Sequence, residues 1–278
     1  EEVLRSTPHD MLSTILANPP KRWEKLGDMV IFPQGTDTKN WPMKEVAKIL
    51  QANRIGIQNE IDSGPTRKSQ LELIHGGDGW VVHRENFVEY EFDATEVMFS
   101  SGNVTERRRM GDIKTEGEII VDAYCGIGYY TMQMLVRGGA EHVHACEINP
   151  HSITALEKGL ARNGVSEKCT IHPGDNRISM RNLQGIADRV ILGLIPSSMN
   201  SWGNAIRCLK DTGGIIHLEK IKIHKEDNFE TLSFRLSELG SKALIKSLTL
   251  IENGDFKLLV QDNKKSTRAP KIKKEMLR

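Results

Sequence analysis

The sequence predicts an α/β protein built on a doubly wound sheet, with a small α+β unit ahead of it. Three observations lead there. From about residue 119, short apolar runs alternate with stretches of helical periodicity, the pattern of a sheet wound with crossover helices. Ile119-Ile120-Val121 opens this alternation as an unbroken apolar run, as a parallel strand buried on both faces requires. Asp122 ends that run, and Gly126 and Gly128 follow before the next helical stretch. Open α/β sheets bind ligands at that place, outside the carboxyl ends of their strands.

Taken in order, residues 1–26 read as a surface helix broken at Pro19-Pro20, and 28–33 as a short strand. Met43, Val46, Ala47, Ile49 and Leu50 fall at helical spacing behind Pro42, so 42–52 reads as an amphipathic helix. Strands are expected near 54–59, 70–74, 79–83 and 88–92, punctuated by glycines such as Gly76-Gly77-Asp78-Gly79. After the strand at 119–121 come a helix at 129–137, strand 142–147, helix 151–163, and strands 168–172 and 188–193. Helix 200–210, strand 214–219 and helix 228–239 follow. Strands 243–251 and 256–262 close the series as a hairpin around Asn253-Gly254-Asp255.

Composition is that of a globular chain: 38% hydrophobic and 27% charged over 278 residues. No apolar run reaches the roughly 18 residues a membrane span needs, and no signal-peptide pattern is present, so the expected location is the cytoplasm. Cys125, Cys146, Cys169 and Cys208 lack metal-site spacing and read as reduced thiols. His142 and His144 alternate on one strand and read as core; no metal is expected. The net charge of +1 is uninformative, but residues 264–278 hold seven basic side chains against Glu275 alone, and Arg107-Arg108-Arg109 forms a second cluster. Such clusters contact phosphate, or are simply solvated.

The residues with chemical promise lie at successive strand ends. Gly126 and Gly128 suit a turn that lets a ligand approach backbone. A dinucleotide fingerprint would place a third glycine where Thr131 stands, so a ligand without phosphate fits better. Glu147 ends the second strand, 21 residues after Gly126, where a carboxylate can accept ribose hydroxyls or favour the following helix N-terminus. Gly174-Asp175-Asn176 follows the third strand and reads either as an adenine contact or as an ordinary turn. The fourth strand ends Leu192-Gly193-Leu194-Ile195-Pro196-Ser197-Ser198, a loop that faces the reacting end of such a ligand. It lacks the Asn/Asp-Pro-Pro-aromatic sequence of many base-modifying methyltransferases.

Val121-Asp122-Ala123-Tyr124-Cys125-Gly126-Ile127-Gly128-Tyr129-Tyr130-Thr131, with Met98–Arg107 upstream, resembles the family of archaeal and eukaryotic tRNA guanine-N1 methyltransferases and their wybutosine-synthesising paralogues. His144–His151, His172–Arg177 and Asp188–Ser198 resemble the wybutosine branch, the last stretch most specifically. The resemblance implies a Rossmann-like, class I methyltransferase-type sheet over 97–278 and a small α+β, tRNA-facing domain over 1–96. It implies transfer of the 3-amino-3-carboxypropyl group of S-adenosylmethionine to 4-demethylwyosine beside the anticodon of phenylalanine tRNA, by a monomer, with methylthioadenosine leaving. Cofactor contacts carried over by motif position are Ser100, Arg107, Glu147, Asp175 and Asn176. Asp122, Gly126, Gly128 and Leu192 join them from their place at the strand ends, and the expected substrate contacts are Arg108 and Arg109 of the basic cluster with Pro196 and Ser197 of the fourth-strand loop. Either Arg107 or the Ser100 hydroxyl would hold the cofactor's carboxylate tail. The chain departs from the family pattern at Arg107, where Lys is usual, at Cys125, Ile148 and Thr267. No catalytic base is assigned: His151, His172 and His217 are conceivable, and each has a structural reading. Two other functions compete, a tRNA guanine-N1 methyltransferase and a non-catalytic RNA-binding protein that retains the fold.

Overall fold

The computed structural model describes residues 6–59, 69–194 and 198–218. The expected helix at 228–239, the hairpin 243–262, the basic tail with Thr267, and Pro196 and Ser197 lie outside the described residues. The first elements are α1 (Pro8–Ser13), β1 (Glu24–Leu26), β2 (Met29–Pro33), α2 (Met43–Ile49), β3 (Arg54–Gln58) and β4 (Leu71–His75). Thr7 and Asp10 close a capping box at α1, each side chain accepting from the other's backbone N–H. The helix expected over 1–26 is therefore short, and the chain beyond Pro19-Pro20 becomes strand. β2 and β3 are parallel and joined through α2; β1 and β4 flank them antiparallel. Phe32, Val30, Val46, Leu50 and Ile55 fill the space between this sheet and its helices.

β5 (Trp80–Glu85) and β6 (Val88–Asp93) form a hairpin, and α3 (Val104–Asp112) follows. The hairpin is fastened to the second half of the fold. Glu91 pairs with Lys158 and Arg162, and the Asn163 side chain donates to the Glu89 carbonyl at 2.7 Å.

The second half is β7 (Ile119–Asp122), α4 (Thr131–Gln133), β8 (His142–Glu147), α5 (Pro150–Arg162), β9 (Cys169–Pro173), α6 (Asn176–Ser179), β10 (Arg189–Leu192), α7 (Trp202–Cys208) and β11 (Ile215–Leu218). All neighbouring strands of this sheet are parallel, in the order β11-β10-β7-β8-β9. The chain winds one way from β7 and restarts on its other side at β10. That places the topological switch, and hence a ligand crevice, at the carboxyl ends of β7 and β10. The fold is Rossmann-like. Ile120, Val143, Ala145 and Leu156 pack on one face, and Val121, Cys146, Val190 and Leu192 on the other. β7 is thus covered on both sides, as its apolar run demands.

The helix expected from 129 starts at Thr131 and passes into one π-turn over Met134–Gly138. Gly126 and Gly128 take φ of +57° and +89°, so the chain is still turning where periodicity alone would begin a helix. Among the described residues no helix is long and apolar enough to cross a membrane.

Candidate functional site

Asp122 is fully buried at the end of β7. One carboxylate oxygen accepts from the Thr131 hydroxyl at 2.8 Å, the other from the Tyr124 N–H at 3.4 Å. Burial lifts its pKa to about 6, against these hydrogen bonds, and the nearby Glu147 charge adds to the rise. Thr131 stands where a third glycine would be, and its hydroxyl fixes the first strand-end carboxylate.

Glu147 binds the glycine turn back onto β8. Its Oε2 accepts from Gly126 N–H at 2.8 Å, and its Oε1 from Ile148 and Asn149 N–H at 2.9 and 2.7 Å. Burial raises its pKa while these three donors hold it down. A carboxylate has about four acceptor positions, so roughly one remains, on Oε2. A Cβ on Gly126 would stand 2.8 Å from the Tyr129 ring, and one on Gly128 2.6 Å from the Leu156 side chain. Positive φ and close packing both demand glycine here.

Asp175 caps α6, accepting from Arg177 N–H at 2.9 Å and from the Arg177 guanidinium, which holds its pKa low. Asn176 is buried, and its carboxamide is committed to the fold. It donates to the Ala123 carbonyl at 2.7 Å and accepts from the Ser201 hydroxyl at 3.1 Å, and Ser201 in turn meets the Tyr124 hydroxyl at 2.6 Å. A ligand contact by Asn176 therefore falls to its backbone N–H. Leu192 is buried at the end of β10, and Gly193 beyond it is exposed and lies against the Tyr130 ring.

Arg107 is 1% exposed. It grips both oxygens of Glu85 at 2.6 and 2.7 Å, donates to the Ser100 carbonyl at 2.8 Å, and lies 4.6 Å over the Phe99 ring. Its charge is neutralised, and it fixes the backbone at Ser100. Arg109 pairs with Glu106, whereas Arg108 is exposed, with Asp112 3.9 Å away.

The structure thus gathers Asp122, Gly126, Gly128, Glu147, Asp175, Asn176 and Leu192 at neighbouring strand ends, and sets Arg107 beneath the segment that carries Ser100. Sequence reasoning did not find Glu85, Tyr124 or Ser201; each is tied to the site by long-range partners. Of the candidate bases, His172 is hydrogen-bonded to His144 at 3.1 Å, and His217 accepts from Arg189 at 2.6 Å. His151 is exposed, 3.6 Å from Glu96. Among the described residues no group of three or more His, Cys, Asp or Glu is arranged to hold a metal ion.

A family model described as the TRM5/TYW2 methyltransferase domain matches residues 81–244. The chain is 46% identical over 222 residues to tRNA wybutosine-synthesizing protein 2/3/4 of Arabidopsis thaliana, covering 77% of this chain and 22% of that protein. It is 42% identical over 212 residues to the tRNA wybutosine-synthesizing protein 2 homolog of Homo sapiens, covering 73% and 47%. The chain therefore spans less than half the length of either relative. The crystal structure of P. horikoshii TYW2 in complex with MeSAdo superposes with a TM-score of 0.60 at 28% identity, over 74% of this chain and 73% of that one. Since the matching family model covers more than half of its length, the chain belongs to the TRM5/TYW2 methyltransferase family.

Proposed function

We propose that this protein transfers the 3-amino-3-carboxypropyl group of S-adenosylmethionine to 4-demethylwyosine beside the anticodon of phenylalanine tRNA, releasing methylthioadenosine. In this reading it works as a cytoplasmic monomer, with 97–278 as the catalytic domain and 1–96 facing the tRNA. The observation that carries the cofactor reading is the charge around the crevice. Carboxylates stand at three successive strand ends, Asp122, Glu147 and Asp175. The motif arginines Arg177 and Arg107 are each paired with a carboxylate, Asp175 and Glu85, which leaves Asp122 and Glu147 without a basic partner among the described residues. Such a site repels phosphate and favours a cationic adenosine derivative. The open acceptor position on Glu147 fits a ribose hydroxyl, and the Asn176 backbone fits an adenine ring nitrogen.

A sulfonium activates each of its three attached carbons, so orientation chooses the product. The chain's part is to turn the aminocarboxypropyl arm toward the base. Arg107 holds Ser100 in place for that arm, and the loop after Leu192, without Asn-Pro-Pro-aromatic, leaves out the group that would accept a target amine's hydrogen bond. The names of the relatives and the MeSAdo complex of P. horikoshii TYW2 support aminocarboxypropyl over methyl transfer. Incubation with S-adenosylmethionine and tRNA bearing the tricyclic base should yield methylthioadenosine. Release of S-adenosylhomocysteine instead would establish a methyltransferase. Cofactor binding without either product would favour a non-catalytic role.

The elevated Asp122 pKa gives a second check. Its ionised form is penalised in the folded protein, so its contribution to stability is gained as pH falls from about 6 toward 3.8 and is absent above. A bound cation reverses that preference and expels the proton. S-adenosylmethionine affinity should therefore strengthen several-fold as pH rises through about 6, with proton release in calorimetry, while neutral methylthioadenosine shows a much smaller slope. Equal slopes for the two ligands would remove Asp122 from the cation site.

A further inference from the structure

The tip of the β5–β6 hairpin is built against the usual rules. Glu85 and Val88 close it, leaving Asn86 and Phe87 as a two-residue turn with φ of +50° and +67°. Turns of this kind want φ above zero at both positions, and asparagine followed by glycine is the favoured pair. Asn86 obeys the rule; Phe87 does not. A bulky side chain in the left-handed region is strained, and this one is also 76% exposed, so it gains almost no burial in return. Glycine would serve the fold better on both counts. Strain kept where it does nothing for packing points to a role outside the chain.

The surroundings narrow that role. The Asn86 side chain donates to the Val104 carbonyl at 3.3 Å, and Glu85 holds Arg107, so the tip is fixed to the start of α3. Val104 is itself exposed, and Arg108 stands one turn further along the same face of α3. Arg108 is exposed, with only a long contact to Asp112 at 3.9 Å, so its charge is available. An exposed ring on a tip fixed to the helix that carries an exposed guanidinium matches single-stranded RNA, whose bases stack on aromatic faces while arginine takes a nearby phosphate.

We propose that this hairpin tip is a stacking platform for an unpaired nucleobase of the RNA substrate, with Phe87 receiving the base and Arg108 a neighbouring phosphate. The inference rests on the tRNA reading above, and the test separates the two. Affinity for tRNA is measured against salt for the unaltered protein, Phe87→Gly, Phe87→Trp and Arg108→Ala, together with S-adenosylmethionine affinity and Tm. Phe87→Gly should weaken tRNA binding about tenfold or more, with the salt slope and cofactor affinity unchanged. Its Tm should rise by roughly 1–3 °C as the strained turn relaxes. Phe87→Trp should bind as the unaltered protein does, and Arg108→Ala should lower the salt slope by about one. If the unaltered protein binds tRNA and Phe87→Gly binds it equally well, the platform is overturned and the tRNA reading stands. Weaker binding accompanied by a lower Tm also overturns it, since the ring would then be structural. If the unaltered protein binds cofactor but no tRNA, both readings fall together.

Discussion

Replacing Arg107 by methionine is expected to cost about 3–5 kcal/mol of stability, a fall in Tm of roughly 10 °C or more. The reason lies less in what Arg107 gives than in what it leaves. Glu85 is only 10% exposed and has both oxygens against the guanidinium. Without Arg107 its charge stays in a low-dielectric pocket beside His83, whose ring packs edge-on against Phe99. Arg107→Lys retains the charge but not the two-pronged grip, and should fall between methionine and the natural residue. Glu85→Leu combined with Arg107→Met removes both charges and should recover much of the loss, because a buried pair is worth little against an apolar replacement. The three variants measured by chemical denaturation decide the matter. If the single methionine variant is as stable as the unaltered protein, the pair does not hold the Ser100 segment. Cofactor affinity should drop with Arg107→Met and stay low in the double variant even as stability returns, because both lack the guanidinium that donates to the Ser100 carbonyl. Affinity that recovers with stability in the double variant would mean that Arg107 serves the site only through the stability of the fold.

This pair also explains why part of the site could not be read from the sequence. β7 and β10 are legible because each is a local apolar run, and β8 and β9 because they are short strand-like segments set off by turns and helical stretches. Asp122 and Glu147 come into view as the last residues of β7 and β8. α3 was not anticipated, because its buried face carries Arg107 beside Met110 and Gly111, and a charge in the core breaks the periodicity that announces a helix. The partner that makes the charge tolerable, Glu85, is 22 residues away on a different element. Asn176 teaches the same lesson. Read locally, it is a turn residue or an adenine contact. Its carboxamide is in fact spent on Ala123 and Ser201, 53 and 25 residues distant in sequence. Thr131 carried a usable signal, since a hydroxyl where a third glycine was expected, nine residues after a strand-end carboxylate, invites a hydrogen bond between them.

Glu147→Ala should weaken S-adenosylmethionine binding by about tenfold to a hundredfold, the range for a hydrogen bond to a charged group. The substitution does two things at once. It removes the acceptor proposed for a ribose hydroxyl, and it leaves the N–H groups of Gly126, Ile148 and Asn149 without their carboxylate. The glycine turn would then lose its tether to β8, and a looser turn could lower affinity with no ribose contact involved. Glutamine does not solve the problem, because its amide nitrogen would face at least one of these donors. Changing the ligand does. With the natural residue present, a 2′- or 3′-deoxy analogue should bind more weakly than the parent compound. In Glu147→Ala the two should bind alike, because the group that tells them apart is gone. Discrimination that persists undiminished in the variant would assign the ribose to another residue and leave Glu147 as the brace of the glycine turn. A single open acceptor position on Oε2 further predicts that only one of the two deoxy positions matters strongly. Equal losses at both would mean that ligand binding displaces one of the three backbone donors.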